Sequence, residues 1–167
     1  KDNAAVWAIT KTMETDVDSF KSVGDSLALG QSTVGVARAA SESVTDLLKE
    51  MKKLIISAQE ENVDRTKIQT DLTEMATEIG SIISAAQFNG LNLVNNSETA
   101  AVNVLASLDR ASDGSVTTSN IAITPQNLSA VQTAVAAYDV STAAGAATAL
   151  ASALVEVDCS PTVMSDH

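Results

Sequence analysis

The chain has 167 residues, a formal net charge of −11 and an aromatic content of only 2%. The excess of acidic residues argues against binding to nucleic acid or to an anionic membrane, because both carry charge of the same sign. A single cysteine, Cys159, and a single histidine, His167, offer no internal disulfide and no metal-ligand set, so we predict a non-enzymatic chain without metal or cofactor.

A sustained heptad pattern predicts a long helix over residues 1–58. Apolar or small residues recur every seven positions from Val6 and again three positions after each, and only Asp16 and Ser41 are polar. A repeat of 3.5 residues is typical of a helix that packs along partner helices. Two glycines within residues 30–35 each cost about 1 kcal/mol relative to alanine, so the pattern leaves open an interruption there.

A polar segment at residues 59–67 and a renewed apolar pattern predict a second helix over residues 64–88. Asn62 or Asp64 can cap it, and the short connection makes the two helices antiparallel neighbours. We interpret Asn89-Gly90 as the stop of this helix, because glycine adopts positive φ without steric penalty.

The period then changes to alternation, which predicts a β-hairpin over residues 100–124. Helical spacing returns over residues 127–138 and 141–158, the second helix beginning with a serine cap. Pro161 should end that helix, and residues 159–167 carry no pattern, which favours a disordered or non-native tail.

Three sequence patterns invite a site and have simpler interpretations. The segment that begins at Asp109 is faintly similar to a calcium loop, but its twelfth residue is Asn120 and not a bidentate carboxylate, which favours a plain turn. Asn95 and Asn127 each begin an Asn-x-Ser glycosylation pattern, which we interpret as a loop and a helix start. The carboxylates of the first two helices fall mainly away from the apolar seams and predict a solvated face rather than an acid–base pair.

Two motifs resemble those of one protein family. The opening "KDNAAVWAIT" is similar to the flagellin motif KDDAAGLAI, and "AAQFNGLNLV" is similar to the flagellin motif QFNG-x-x-L. The motif positions here are Lys1, Asp2, Asn3, Gln87, Phe88, Asn89 and Gly90. Residues 1–94 resemble the amino-terminal half of the flagellin rod domain, residues 102–124 its hairpin, and residues 141–158 the start of its returning helix.

The resemblance implies a mainly α fold, an elongated antiparallel helical bundle or coiled-coil rod with a small β-hairpin, spanning residues 1–158. It implies a secreted structural subunit of the bacterial flagellar filament, here a fragment without the terminal polymerisation helices. Other flagellin subunits, an export chaperone and a cap protein are the implied partners. Gln59, Asp64 and Asp113 are our candidate contacts between subunits.

The resemblance also bears on an innate immune receptor. Flagellins that a Toll-like receptor recognises carry a Gln-Arg pair followed by Glu on the first helix. The equivalent positions here are Lys49, Glu50 and Lys53, which reverse or add charge at each site. We therefore expect weak or no receptor recognition.

The alternative function is a coiled-coil signalling or adaptor module, such as a chemoreceptor cytoplasmic segment. Such modules continue their heptads to a hairpin tip and have no reason to place a β-hairpin after them. The predicted strands over residues 100–124 therefore favour the filament subunit.

Overall fold

A computed structural model describes residues 2–111 and 115–162 of the chain. The described residues form four helices and two small antiparallel sheets of two strands each. In chain order the elements are α1 (Asp2–Ser57), α2 (Arg65–Ala85), β1 (Gln87–Phe88), β2 (Leu91–Asn92), β3 (Val102–Arg110), β4 (Val116–Ile123), α3 (Leu128–Ala136) and α4 (Ala143–Thr162). The fold is therefore mainly α with a small hairpin, as predicted.

Helix α1 runs unbroken through all three of its glycines and is about 80 Å long at about 1.5 Å per residue. The interruption left open near residues 30–35 does not occur. No proline lies in this segment, and Gly30 is buried against Val104 of β3, where packing offsets the cost of a glycine in a helix.

The second half of α1 carries the core of the molecule. Its heptad residues are buried from Ser41 onward, and they pack with buried residues of α2 and α4. The fully buried large side chains include Val44, Met51, Ile55, Leu72 and Ile79. Burial of each such aliphatic side chain contributes about 1.5–3 kcal/mol, so this seam holds the bundle together.

The connection between α1 and α2 is capped from both sides. Asp64 is the N-cap of α2, and its side chain accepts a hydrogen bond from the Lys67 amide at 3.1 Å, which confirms one of the two predicted caps. The Arg65 guanidinium donates to the carbonyl oxygens of Ala58 at 3.0 Å and Glu60 at 2.7 Å. These bonds satisfy carbonyl groups at and beyond the end of α1 that lack a helical partner.

The interpretation of Asn89-Gly90 as a helix stop is wrong. Helix α2 ends at Ala85, with Ala86 as its C-cap, and the next residues form β1. Phe88 pairs with Leu91, so Asn89 and Gly90 are the two loop residues of a tight hairpin, with φ of 51° and 82°. Positive φ at both loop residues is what a two-residue hairpin turn of type I′ requires, and Asn-Gly is the preferred pair for it.

The predicted longer hairpin is present as β3 and β4. Ala111 donates to the Ser115 carbonyl at 2.9 Å at the turn end, and the register shifts at a bulge between Leu105 and Ser107. The β-hairpin lies on the first half of α1 through contacts of β3, whereas β4 is exposed along most of its length.

The chain then returns to the bundle. Helix α3 packs on α2, and α4 packs on α1. The cap of α4 is Thr142, whose hydroxyl accepts from the Gly145 amide at 3.0 Å, and not the predicted serine. α4 extends past its predicted end at residue 158 to Thr162, so Pro161 lies within its last turn and does not end the helix at residue 158. Residues 163–167 of the predicted tail lie outside the described residues.

Candidate functional site

The two family-like motifs lie in different parts of the fold. Asn3 is exposed in the first turn of α1, which begins at Asp2, while Lys1 lies outside the described residues. Gln87 to Gly90 form strand β1 and the turn that follows it. Phe88 is half-buried and does not belong to the buried core. The second motif thus shapes the chain reversal after α2.

The sequence analysis missed the residue that holds this reversal together, Asn92. Its side chain is 4% exposed, and its amide nitrogen donates to the Ile83 carbonyl at 2.8 Å. Its Oδ1 accepts from the amides of Val94 at 2.8 Å and Asn95 at 3.0 Å. A single buried carboxamide therefore joins the end of α2 to the segment after β2. The signal was available in the sequence, since a polar residue in the apolar run "LNLV" needs buried partners.

The three receptor-equivalent residues all lie on the exposed surface of α1. Lys49, Glu50 and Lys53 are accessible, and Lys49 pairs with Asp46 at 2.9 Å along the same helix. Side chains three and four apart share a helix face, so Lys53 is a neighbour of both Lys49 and Glu50, whereas Lys49 and Glu50 lie about 100° apart around the helix.

The candidate contact residues are only partly brought together. Gln59 and Asp64 are both exposed at the turn between α1 and α2, where Gln59 donates to the Ile55 carbonyl at 3.4 Å. Asp113 lies outside the described residues, although the strands that flank it belong to the hairpin on α1. The calcium-loop segment is confirmed as a hairpin on both sides of that gap.

The two glycosylation-like patterns are a loop and a helix start, as predicted. The Asn95 side chain accepts from the Ser97 amide at 2.9 Å, and its carbonyl accepts from the Ser129 hydroxyl at 3.1 Å. Asn127 is the N-cap of α3 and accepts from the Ala130 amide at 3.2 Å. Both carboxamides already serve local structure.

Three contacts attach the hairpin to α1. Arg110 pairs with Asp16 at 2.9 Å, and the Leu105 amide donates to the Ser26 hydroxyl at 3.1 Å. The Val104 side chain also packs closely against Gly30. An open groove of about 440 Å³ lies beside this third contact, with an apolar lining that includes Leu27, Val34, Val104, Ile121 and Ile123.

An exposed apolar stripe runs along the first half of α1. The heptad pattern that is buried after residue 40 is largely solvent-exposed before it. The side chains that form this stripe are Val6, Ile9, Met13 and Phe20, which are 60–69% exposed, and Leu27 and Val34, which are 37% and 41% exposed. Several large apolar side chains exposed along one helix face are more typical of an interaction site than of ordinary surface.

Within the described ranges, no group of histidine, cysteine and acidic side chains could hold a metal ion. Hydrogen bonds from the side chain and the backbone of Ser141 hold the pKa of exposed Asp139 below its ordinary value. No helix in the described part of the chain is long and apolar enough to cross a membrane.

This arrangement defines an elongated helical rod with a hairpin on its side and an exposed apolar stripe along the first half of α1. Residues 1–99 match the bacterial flagellin N-terminal helical region. Because that match covers more than half of the chain, the protein belongs to the flagellin family.

Individual flagellins support the same assignment. The chain is 36% identical to flagellin C of Rhizobium meliloti strain 1021 over 123 residues, which are 72% of this chain and 38% of the relative. It is 40% identical to flagellin A of the same strain over 91 residues, 54% of this chain and 23% of the relative. Flagellin FljN of Caulobacter vibrioides is 37% identical over 112 residues, 65% of this chain and 41% of the relative. The chain thus spans less than half the length of these relatives.

Proposed function

We propose that the chain is a structural part of a bacterial flagellar filament subunit, outside the cell, and serves motility without catalysing a reaction. The observation that carries the proposal is the exposed apolar stripe on a family-typical rod helix. Covering such a stripe on assembly removes apolar surface from water, at about 25 cal/mol per Å². The role of the chain is then mechanical, since long helices pack side by side. The signalling-module alternative is not favoured, because the matched family is flagellin.

Other flagellin subunits are the principal proposed partners, with the family's export chaperone and cap protein as further ones. The exposed turn that contains Gln59 and Asp64 is a candidate contact with a neighbouring subunit, and the hairpin tip near Asp113 is a second. The assignment of residues 1–158 to a single rod domain belongs to the same proposal, and α4 continues four residues beyond that boundary to Thr162.

A replacement experiment tests the function. The segment of flagellin C that aligns with this chain is exchanged for this chain, and the hybrid is expressed in a flagellin-deficient alphaproteobacterium. We expect filaments in electron micrographs and restored swimming. A hybrid that is secreted and helical by circular dichroism but forms no filaments would refute the proposal.

A matched pair of variants tests the stripe within the same hybrid. Phe20→Asp places a charge on the stripe, whereas Ser22→Asp places the same charge on an exposed polar position about 200° around the helix from Phe20. We expect Phe20→Asp alone to shorten or abolish filaments. Equal effects of the two changes would show that the stripe is not the assembling surface.

We further propose that Toll-like receptor recognition is weak or absent. Lys49, Glu50 and Lys53 present an altered charge pattern on the exposed surface of α1, and like or misplaced charges at a contact suppress binding. In a cell reporter assay, purified hybrid filaments should give little activation after dissociation. Potent activation, comparable with that of a recognised flagellin, would contradict this proposal.

A further inference from the structure

The turn between β1 and β2 combines three properties at one peptide bond. Asn89 and Gly90 are both exposed. Both have positive φ, at 51° and 82°. A Cβ atom built on Gly90 would have no atom within 4 Å other than those of Gly90 and its chain neighbours, so the space beside the Gly90 Cα is open. The peptide nitrogen of Gly90 follows Asn89 directly in the chain, and both residues of this exposed turn are open to solvent.

This juxtaposition has a known chemical outcome in peptides. A backbone nitrogen that follows asparagine can attack the side-chain carbonyl carbon within the same molecule, and proximity replaces an encounter between two molecules. Glycine hinders the attack least, because it has no Cβ and its backbone turns freely.

We propose that Asn89 is a modification site that converts spontaneously to aspartate and isoaspartate. The Gly90 nitrogen loses its proton to water or hydroxide and forms a bond to Asn89 Cγ. The Cγ–Nδ2 bond breaks, and ammonia leaves with a proton returned from solvent. Water then opens the five-membered cyclic imide at either carbonyl, which gives a normal or a side-chain-linked peptide bond. Water is the only co-reactant, and no oxidation takes place.

The fold does little to prevent the necessary motion. β1 and β2 are two residues long each, so the ladder that closes the turn is short. Local opening of so short a ladder, closed by an exposed turn, costs much less free energy than global unfolding. The turn can therefore reach the geometry for attack while the helical core remains folded.

Neighbouring asparagines provide comparisons within the same chain. Asn96 is also exposed and has φ of 62°, but a serine follows it. Asn92 is buried, holds three hydrogen bonds and precedes a leucine. We expect Asn89 to convert fastest, Asn96 more slowly, and Asn92 slowest of the three.

Conversion should loosen the chain reversal. The isoaspartyl form adds a methylene to the main chain of a turn that has two residues, and either product adds a negative charge. The pairing of Phe88 with Leu91 is then disturbed, and β2 leads directly to the Asn92 side chain that joins α2 to this segment.

The test follows the intact chain during incubation at mildly alkaline pH and physiological temperature. Tryptic digestion gives one peptide, residues 68–110, that contains all three asparagines, since no lysine or arginine occurs between its ends. Electron-transfer fragmentation assigns each conversion and separates aspartate from isoaspartate. We expect conversion at Asn89 to be at least several-fold faster than at Asn96.

A Gly90→Ala variant supplies the second arm. The added methyl group hinders attack, so the rate at residue 89 should fall several-fold while the rate at Asn96 stays unchanged. Circular dichroism checks that the variant keeps its helices. The proposal is overturned if Asn96 converts as fast as Asn89, if Asn89 shows no conversion, or if Gly90→Ala leaves the rate at residue 89 unaltered.

Discussion

Gly30 occupies the place where α1 and the hairpin come closest, and its replacement by alanine tests that contact. A Cβ on Gly30 would lie 2.7 Å and 2.9 Å from the two methyl carbons of Val104 and 3.3 Å from its Cβ. Rotation of the valine side chain cannot relieve the overlap, because both methyl groups and the branching carbon crowd the same point. Strand β3 would have to move away from α1.

The sign of the effect follows from two opposing magnitudes. Alanine gains about 1 kcal/mol over glycine inside a helix. Overpacking a buried contact costs about 1–3 kcal/mol. We therefore expect Gly30→Ala to lower the free energy of unfolding by up to about 2 kcal/mol, with no better result than a neutral change.

Gly24 and Gly35 are matched controls on the same helix. Both are exposed, and an added Cβ would meet nothing within 4 Å. Gly24→Ala and Gly35→Ala should each stabilise by up to about 1 kcal/mol, which raises Tm by about 2–4 °C in a chain of this size. Urea titration and thermal melts followed by circular dichroism measure all three variants.

A double mutant identifies the cause. Val104→Ala removes the methyl groups that the new Cβ meets, so Gly30→Ala should be less harmful in that background, with a coupling free energy of about 0.5–3 kcal/mol. If Gly30→Ala stabilises the chain as much as Gly35→Ala does, the close approach of α1 and β3 is not a constraint and the reasoning fails.

Three further predictions concern other parts of the fold. Asn92→Ala removes three hydrogen bonds and leaves buried groups unpaired, so unfolding free energy should fall by about 2–4 kcal/mol in urea titration, whereas Asn103→Ala, at an exposed position, should change it by less than about 0.5 kcal/mol. Gly90→Val should lower Tm, since a β-branched residue strains a positive φ, and an unchanged Tm would contradict the turn assignment. The lowered pKa of Asp139 favours the folded state above the ordinary value of 3.8 and loses that contribution as pH falls through the folded value, so Asp139→Asn should show a smaller loss of stability in acid melts.

Most of the helical fold could be predicted from the periodicity of the sequence. A heptad pattern reports which side chains share a helix face, and each of the two polar exceptions in it has a polar partner in the structure. Asp16 pairs with Arg110, and Ser41, 9% exposed, donates to the Ala37 carbonyl at 2.9 Å. Periodicity does not report whether a partner helix covers the face, which is why the exposed stripe before residue 40 could not be foreseen from spacing alone.

The short elements after α2 were harder to predict. Asn-Gly suits both a helix stop and a two-residue hairpin turn, and the choice depends on pairing between Phe88 and Leu91, which local propensity does not encode. The role of Asn92 depends on partners on both sides of that turn. The predicted cap of α4 was also one residue too early. The Asp139 carboxylate accepts from the Ser141 amide at 2.9 Å, and the next residue, Thr142, caps the helix.

The second half of α1 packs in the helical core, whereas the first half carries only the hairpin and remains largely exposed, so one helix has two local stabilities. Amide hydrogens near Met51 and Ile55 lie over the core and should exchange with solvent only through global unfolding. Before Val23 little besides the hairpin packs against the helix, so amide hydrogens there should exchange through fraying from the amino end. The carboxyl-terminal half of α1 is thus held rigidly by the core, and its amino-terminal half is more flexible. Any partner that covers the amino-terminal half also determines how stiff the helix is there.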